Sequence, residues 1–343
     1  MGAAEPRTKR VAFTTEHAVL FAAMPAVVEI SLERIGRNGA GIVERTGVPL
    51  LAVVKADGYG LGAARVAEAL VGLGDGLAGF YVFDAGEAVA ADLQGRTGRR
   101  TIALHGDWRD PEDYRAAHIQ PVVWTESRAA ALRRAEPVLS LDTGQQRFAC
   151  PPGEADAVYQ AGDCHEAMTH ATRPGQAERL RQFADRWHPR PFLHAAGSAL
   201  LDEPSAWFDA VRPGLALYRG AARVWAPLIE VRDAVGPAGY TGFCVQRFGV
   251  IGVGYRNGLK SGPCRVGGRA SRVLEVGMQS SFVEIAPADR VGDPVVLLGG
   301  DDAAGQSDDA ADRLTELDVA RAWSVSPQEV LVRLAAAGPR AYR

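Results

Sequence analysis

The chain has 343 residues, with 38 basic against 41 acidic side chains and a net charge of -3. No extended basic run is present, so nucleic-acid and membrane-surface binding have no electrostatic footprint, and no apolar run is long enough to span a bilayer. The length suits two domains, or one barrel with an appendage. Cys150, Cys164, Cys244 and Cys264 are scattered without CxxC spacing, which reads as idle or buried thiols in a reducing cytoplasm, with neither a disulfide framework nor a zinc site.

Lys9 and Arg10 precede a moderately apolar stretch that Thr14, Thr15, Glu16 and His17 interrupt, which argues against a secretory signal. Residues 1–23 read as an extension. Ala26 to Ile30 (AVVEI) reads as a strand, with a helix following through about Val43. In LLAVVKADGYGLG, Leu50 to Gly62, five apolar residues precede Lys55, so this strand is covered on both faces. A glycine-rich loop follows it, and then helical spacing from Ala63 to Leu73. Gly79 to Phe83 is the next strand, with a helix around Glu87 to Leu93. Short apolar runs continue at Thr101–Leu104, Ile119–Val123, Val138–Leu141, Met168–His170 and Phe192–His194, and a clear helix lies over Gln176–Trp187. The series ends in RPGLALY, Arg212 to Tyr218.

About eight such units in roughly 200 residues predict an α/β fold with a (β/α)8 barrel, placed over residues 24–220. The texture then changes. Val231 to Leu298 carries short runs rich in Gly, Pro and Val, which predicts a C-terminal all-β domain over 221–343. The acidic segment Gly299 to Asp312 lacks the spaced D-x-D-x-D-G calcium pattern and reads as a solvated loop.

Lys55 closes a buried strand at the end where β/α barrels place their chemistry. A partly desolvated lysine there has the position and pKa to form a Schiff base with an aldehyde such as pyridoxal phosphate. A lysine closing an apolar strand is ordinary by itself; the longer string AVVKADGYG is not. It closely resembles the cofactor-lysine signature of the alanine racemase family, and further motifs follow in the family's order. LDTGQQR (Leu141–Arg147) resembles DTG-x-x-R, MTH (Met168–His170) the family's TH segment, and HAAGS (His194–Ser198) the HAANS pattern. RPGLALY resembles RPG-I-x-x-Y, GVGYRNG (Gly252–Gly258) resembles the GYADG motif, and the terminal PRAY (Pro339–Tyr342) matches the family ending. The likeness runs from about Ala26 to Tyr342.

That resemblance implies a pyridoxal-phosphate barrel with a C-terminal β domain, working as a cytoplasmic homodimer whose active sites are completed across the interface. It implies an amino-acid racemase, with alanine as the default substrate and no metal. Lys55 would carry the cofactor, and Tyr59 would hydrogen-bond its phosphate with Ser198 and the N–H groups of Gly214 and Leu215. His170 would lie near the pyridine ring and Arg212 would face its nitrogen. Arg147 would sit near the cofactor's phenolic oxygen and the substrate carboxylate, with Met278 adding a backbone contact. Racemisation removes the Cα proton from one face and returns it on the other, so it needs two bases. Lys55 and Tyr255 would be that pair, the tyrosine relayed through His170 to Arg212. An arginine at the ring nitrogen leaves it unprotonated, since guanidinium is a donor with no easily released proton.

The chain also departs from the pattern. Ser140 stands where many members carry a lysine, carbamylated to orient the arginine, and Gln328 where a tyrosine contacts phosphate and narrows the entrance. Leu61, Gly197, Arg256, Asn257 and Gln279 replace a histidine, an asparagine, an alanine and two aspartates. Three other readings follow from this thinning: a diverged racemase of a larger amino acid, another pyridoxal-phosphate reaction such as decarboxylation, and a cofactor-binding relative without strong activity. Decarboxylases of this architecture want an acid at the ring nitrogen, and single-domain cofactor binders lack the β domain with its tyrosine.

Overall fold

The computed structural model describes residues 26–105, 110–300 and 313–343. Strand β1 (Val27–Ile30) leads into a helix, Leu32–Thr46, capped at its start by the Ser31 side chain and ended by Gly47 at a φ of 68°. Strands β2 (Leu50–Val53), β3 (Leu77–Asp84), β4 (Thr101–His105), β5 (Ile119–Val123), β6 (Val138–Ser140), β7 (Glu166–Ala171) and β8 (Phe192–Ala196) then form one parallel sheet in chain order. Every residue of β2 and β6 is buried, as expected when helices cover one face and barrel side chains fill the other.

Residues 209–213 occupy the eighth position and close the barrel. Val211 N–H donates to Pro49 O at 3.1 Å and its carbonyl accepts from Leu51 N at 2.8 Å, while Arg212 N–H donates to Ala196 O at 2.7 Å. Pro213 has no N–H to donate, which leaves parallel bridges at Leu50–Val211 and His194–Ala210, while its carbonyl still accepts from Val53 N at 3.0 Å.

The remaining strands are β9 (Ala222–Asp233), β10 (Arg247–Ile251), β11 (Gly262–Val266), β12 (Arg269–Val276), β13 (Ser281–Glu284), β14 (Pro294–Gly300), β15 (Arg313–Leu314) and β16 (Arg340–Tyr342). Their sheet is antiparallel apart from β16. Strand β9 pairs with both β10 and β14, so the sheet curls back on itself. Two helices, Glu316–Trp323 and Pro327–Leu334, follow β15.

One expectation is corrected here. The AVVEI strand, counted in the sequence with the barrel units, lies in the second sheet, antiparallel to β9 and parallel to β16. A strand buried on both faces carries no mark of which sheet will cover it. Its one charge, Glu29, is buried but shared among Arg223 Nη1 (3.1 Å), Trp225 Nε1 (3.1 Å) and Arg343 Nη2 (2.8 Å), which offsets its desolvation. The helix read at Gln176–Trp187 spans Pro174–Ala184, starting at the proline as first-turn prolines do. The N-terminal extension and most of the acidic segment, residues 301–312, lie outside the described residues. Among the described residues all four cysteines are free, and no helix is long and apolar enough to cross a membrane.

Candidate active site

Strand β2 delivers Lys55 to the barrel mouth, and the chain then makes a left-handed turn. Ala56, Asp57 and Gly58 have φ/ψ of 53°/46°, 52°/50° and 63°/45°, and Tyr59 has a φ of 57°. Only glycine adopts this conformation freely; each other L-residue costs about 1–2 kcal/mol. Side chains hold the turn in place. Glu87 Oε1 accepts from Ala56 N and Oε2 from Phe83 N, both at 2.8 Å. Asp57 accepts from Ala63 N at 2.8 Å and pairs with Arg340 Nη1 at 2.6 Å. The turn swings Tyr59 against Gly214, where a Cβ would stand 2.3 Å from the phenol oxygen. Tyr218 backs Tyr59, ring centroids 4.8 Å apart, and donates to Val53 O at 2.8 Å.

A cavity of about 220 Å³ opens above Lys55. Its walls bring together Lys55, Tyr59, His170, Ser198 and Arg212, with Arg147, Gly214 and Leu215, from five separate parts of the sequence. Ser198 Oγ accepts from Gly214 N (3.0 Å) and Ala216 N (3.1 Å), so a hydroxyl and a run of backbone donors converge on one wall. Arg212 is buried, and its Nη2 donates to the carbonyls of Thr169 and Ala195. Its guanidinium lies 5.2 Å from the Tyr81 ring centroid, and its Nε is buried without a partner.

The cavity is electropositive. Desolvation lowers the Lys55 pKa, Arg147 and Arg212 lower it further, and Glu87 opposes them. His170 keeps an edge open to solvent, yet the surrounding walls and the cations Arg212, Lys55 and Arg147 push its pKa down to about 4. Burial pushes Tyr59 up to about 12, so its phenol is a neutral donor.

Two of the named residues stand elsewhere. Tyr255 and Met278 are 57% and 60% exposed on the second domain and do not line this cavity. They are neighbours of each other: Tyr255 N–H donates to Gly277 O at 2.9 Å and Arg256 N–H to Met278 O at 3.1 Å. Asn257 steadies that turn by accepting from Gly254 N at 3.2 Å. Of the departures, Ser140, Gly197 and Gln328 line the cavity, and Leu61 is buried in the core. Sequence reasoning missed Glu87 and Tyr81. A glutamate early in a helix after a strand has many ordinary uses, and nothing in the local pattern marks this one.

Comparison with known proteins places the chain among relatives of the same fold. A family profile described as "Alanine racemase, N-terminal domain" matches residues 30–222. The alanine racemase of Halorhodospira halophila is 30% identical over 308 residues, covering 73% of this chain and 82% of the relative. The biosynthetic alanine racemase of Pseudomonas aeruginosa, known from a crystal structure, superposes with a TM-score of 0.78 at 26% identity, over 93% of this chain and 99% of that one. The alanine racemase of Bartonella henselae, crystallised with covalently bound pyridoxal phosphate, has the same fold at 21% identity and a TM-score of 0.78, over 93% of this chain and 99% of that one. With its barrel matched over more than half its length and its whole architecture shared, the chain belongs to the alanine racemase family.

Proposed function

We propose that this protein is a pyridoxal-phosphate-dependent alanine racemase, working as a cytoplasmic homodimer. The observation that carries the reading is the convergence of Lys55, the unpartnered Nε of buried Arg212 and the donors at Tyr59 and Gly214 in one cavity. These residues fit the cofactor. Lys55 would hold it covalently, Arg212 Nε would donate to its ring nitrogen, and Tyr59, Ser198 and the N–H groups of Gly214 and Leu215 would bind its phosphate. Gly214 is needed for this, because a larger residue would collide with the Tyr59 phenol.

When bound, pyridoxal phosphate supplies an electron-withdrawing ring that stabilises negative charge at the substrate Cα. The protein supplies two proton carriers. Lys55, with its pKa lowered by burial, is neutral in a larger fraction near pH 7 than a free lysine and serves one face of Cα. Tyr255 serves the other. Its exposure beside Met278, away from the cavity of its own chain, supports a site completed by a second protomer. Arg147 binds the substrate carboxylate, with Met278 contributing backbone. His170, held neutral, can accept a hydrogen bond from a tyrosine and stands within the field of Arg212.

The test is to incubate purified protein with L-alanine and follow D-alanine by chiral chromatography, and separately to fix the cofactor with borohydride. The chain has only three lysines, Lys9, Lys55 and Lys260, so the labelled peptide is unambiguous. Label on Lys9 or Lys260 would refute the assignment. Mixing inactive Lys55→Ala and Tyr255→Phe proteins should restore part of the activity, since one site of each mixed dimer regains both groups. A fully active monomer would contradict the shared site.

A second reading, racemisation of a larger amino acid, draws on Ser140 and Gln328 lining the cavity where relatives carry a lysine and a tyrosine. A panel of larger L-amino acids in the same assay separates the two.

A further inference from the structure

The loop that carries Arg147 is built around rings rather than carboxylates. It leaves β6 at Leu141 and returns at Cys150, with Asp142 N–H donating to Cys150 O (2.8 Å) and Cys150 N–H to Ser140 O (2.7 Å). Its base is pinned to β7 by a buried hydrogen bond of 2.7 Å between Thr143 Oγ1 and Thr169 Oγ1, and Arg179 donates to Thr143 O at 3.0 Å. Asp142, the carboxylate nearest in sequence, is spent on the loop itself: its Oδ1 accepts from Gly144 N at 2.7 Å and Gln146 N at 3.1 Å. Among the described residues, no carboxylate stands within ion-pair distance of Arg147.

What Arg147 has instead is an aromatic neighbour. Its guanidinium carbon lies 5.7 Å from the centroid of the Phe148 ring, within cation–π range. That ring cannot drift. It meets Trp124 edge-on at 5.4 Å, His105 at 6.0 Å and Phe83 at 6.1 Å, and Phe83 stacks on His105 at 5.8 Å. Gln146 and Phe148 have φ of 53° and 49°, so Arg147 is set between two left-handed residues. Such strain persists only where surrounding contacts over-determine it. The cluster also shares an anchor with the lysine turn, since the Phe83 N–H is the second donor to Glu87.

We propose that Phe148 is the positioning residue for Arg147: its ring, wedged among Phe83, His105 and Trp124, offers the guanidinium an aromatic face and fixes the cation that receives the substrate carboxylate. This rests on the racemase reading for the identity of the substrate, and on the loop alone for the geometry. Serine at position 140 is then compatible with an ordered arginine.

The experiment compares Phe148→Leu, Phe148→Tyr and the parent as full-length holoenzymes. Leucine keeps the apolar packing and loses the π face; tyrosine keeps both. The readouts are KM and kcat for alanine and, independently of turnover, the calorimetric affinity for propionate, which is the substrate without its amine. Leucine should raise KM and the propionate Kd together by roughly two- to fivefold, with kcat nearly unchanged, and tyrosine should restore both. Leucine equal to phenylalanine in both readouts would overturn the proposal, as would a leucine variant that loses thermal stability while its propionate affinity holds. Propionate affinity insensitive to Arg147→Leu would overturn it as well. A parent without racemase activity refutes the functional reading alone, because the propionate measurement still reports on Arg147.

Discussion

Replacing Glu87 by glutamine tests whether the turn after Lys55 is held from outside. Ala56, Asp57 and Tyr59 are non-glycine residues in left-handed conformation, together costing about 3–6 kcal/mol. The Glu87 carboxylate opposes this with two hydrogen bonds of 2.8 Å, to Ala56 N and Phe83 N. A glutamine can present its oxygen to one of these donors and must turn its own NH2 toward the other. Hydrogen bonds to a charged group contribute about 1.5–3 kcal/mol, and since Glu87 is only half-buried a loss of about 1–2 kcal/mol is expected. A second effect has the opposite character. Glu87 raises the Lys55 pKa against burial and two arginines, so its neutralisation lowers that pKa further and makes the amine more nucleophilic at a given pH. The assay is acylation of the full-length apoprotein across a pH series, read by mass spectrometry on the Lys55 peptide with Lys260 as internal reference, beside a denaturant titration. The Lys55 profile should move to lower pH, the Lys260 profile should stay, and the denaturation midpoint should fall. Glu87→Asp should return the acylation profile toward the parent while leaving most of the stability loss, because the charge is kept and the reach is not. A Glu87→Gln protein matching the parent in both measurements would refute the reasoning.

Gly214→Ala places a Cβ 2.3 Å from the Tyr59 oxygen and 3.1 Å from its Cζ, so cofactor retention on dialysis should drop. The drop should be smaller in a Tyr59→Phe background, and strictly additive losses would count against a direct clash. Fully buried His194 has its pKa pushed down to about 4 by burial, with Glu166 pulling the other way, against 6.5 in the unfolded chain. Between those values unfolding takes up a proton, so stability falls on acidification, by about 2 kcal/mol between pH 7 and pH 5. His194→Gln should flatten that slope in denaturant titrations, and equal slopes would show that His194 is not the source.

Alternation of apolar runs with helical segments made the barrel legible, and the shift to short Gly- and Val-rich runs made the second domain legible. The eighth barrel position was not legible as a strand, because Arg212-Pro213-Gly214 reads as a motif and Pro213, without an N–H, interrupts the regular pairing with β2. The cavity residues were named from motifs lying in family order, and no spacing rule would have predicted that segments near positions 55, 147, 170, 198 and 212 converge. Glu87 and the Phe83–His105–Trp124 cluster escaped notice for a different reason. Their work is done through backbone donors and ring faces, which leave no signature in a single sequence.

Among the described residues, strand β1 pairs with β9 and β16 alone, so the barrel is an insertion between the first and later described strands of the second sheet. This has a consequence for assembly on the ribosome. The barrel strands are all synthesised before β9, and β16 follows last among the described strands. Val27–Ile30 therefore waits with both edges open while the barrel closes beside it. The closing contact, Val28 against Arg340, is among the longest-range pairings the chain can make, and such pairings form late and slowly. Until then the emerging chain presents a bare apolar strand to its neighbours, and its hazard in synthesis is edge-to-edge association at β1 rather than failure of the barrel.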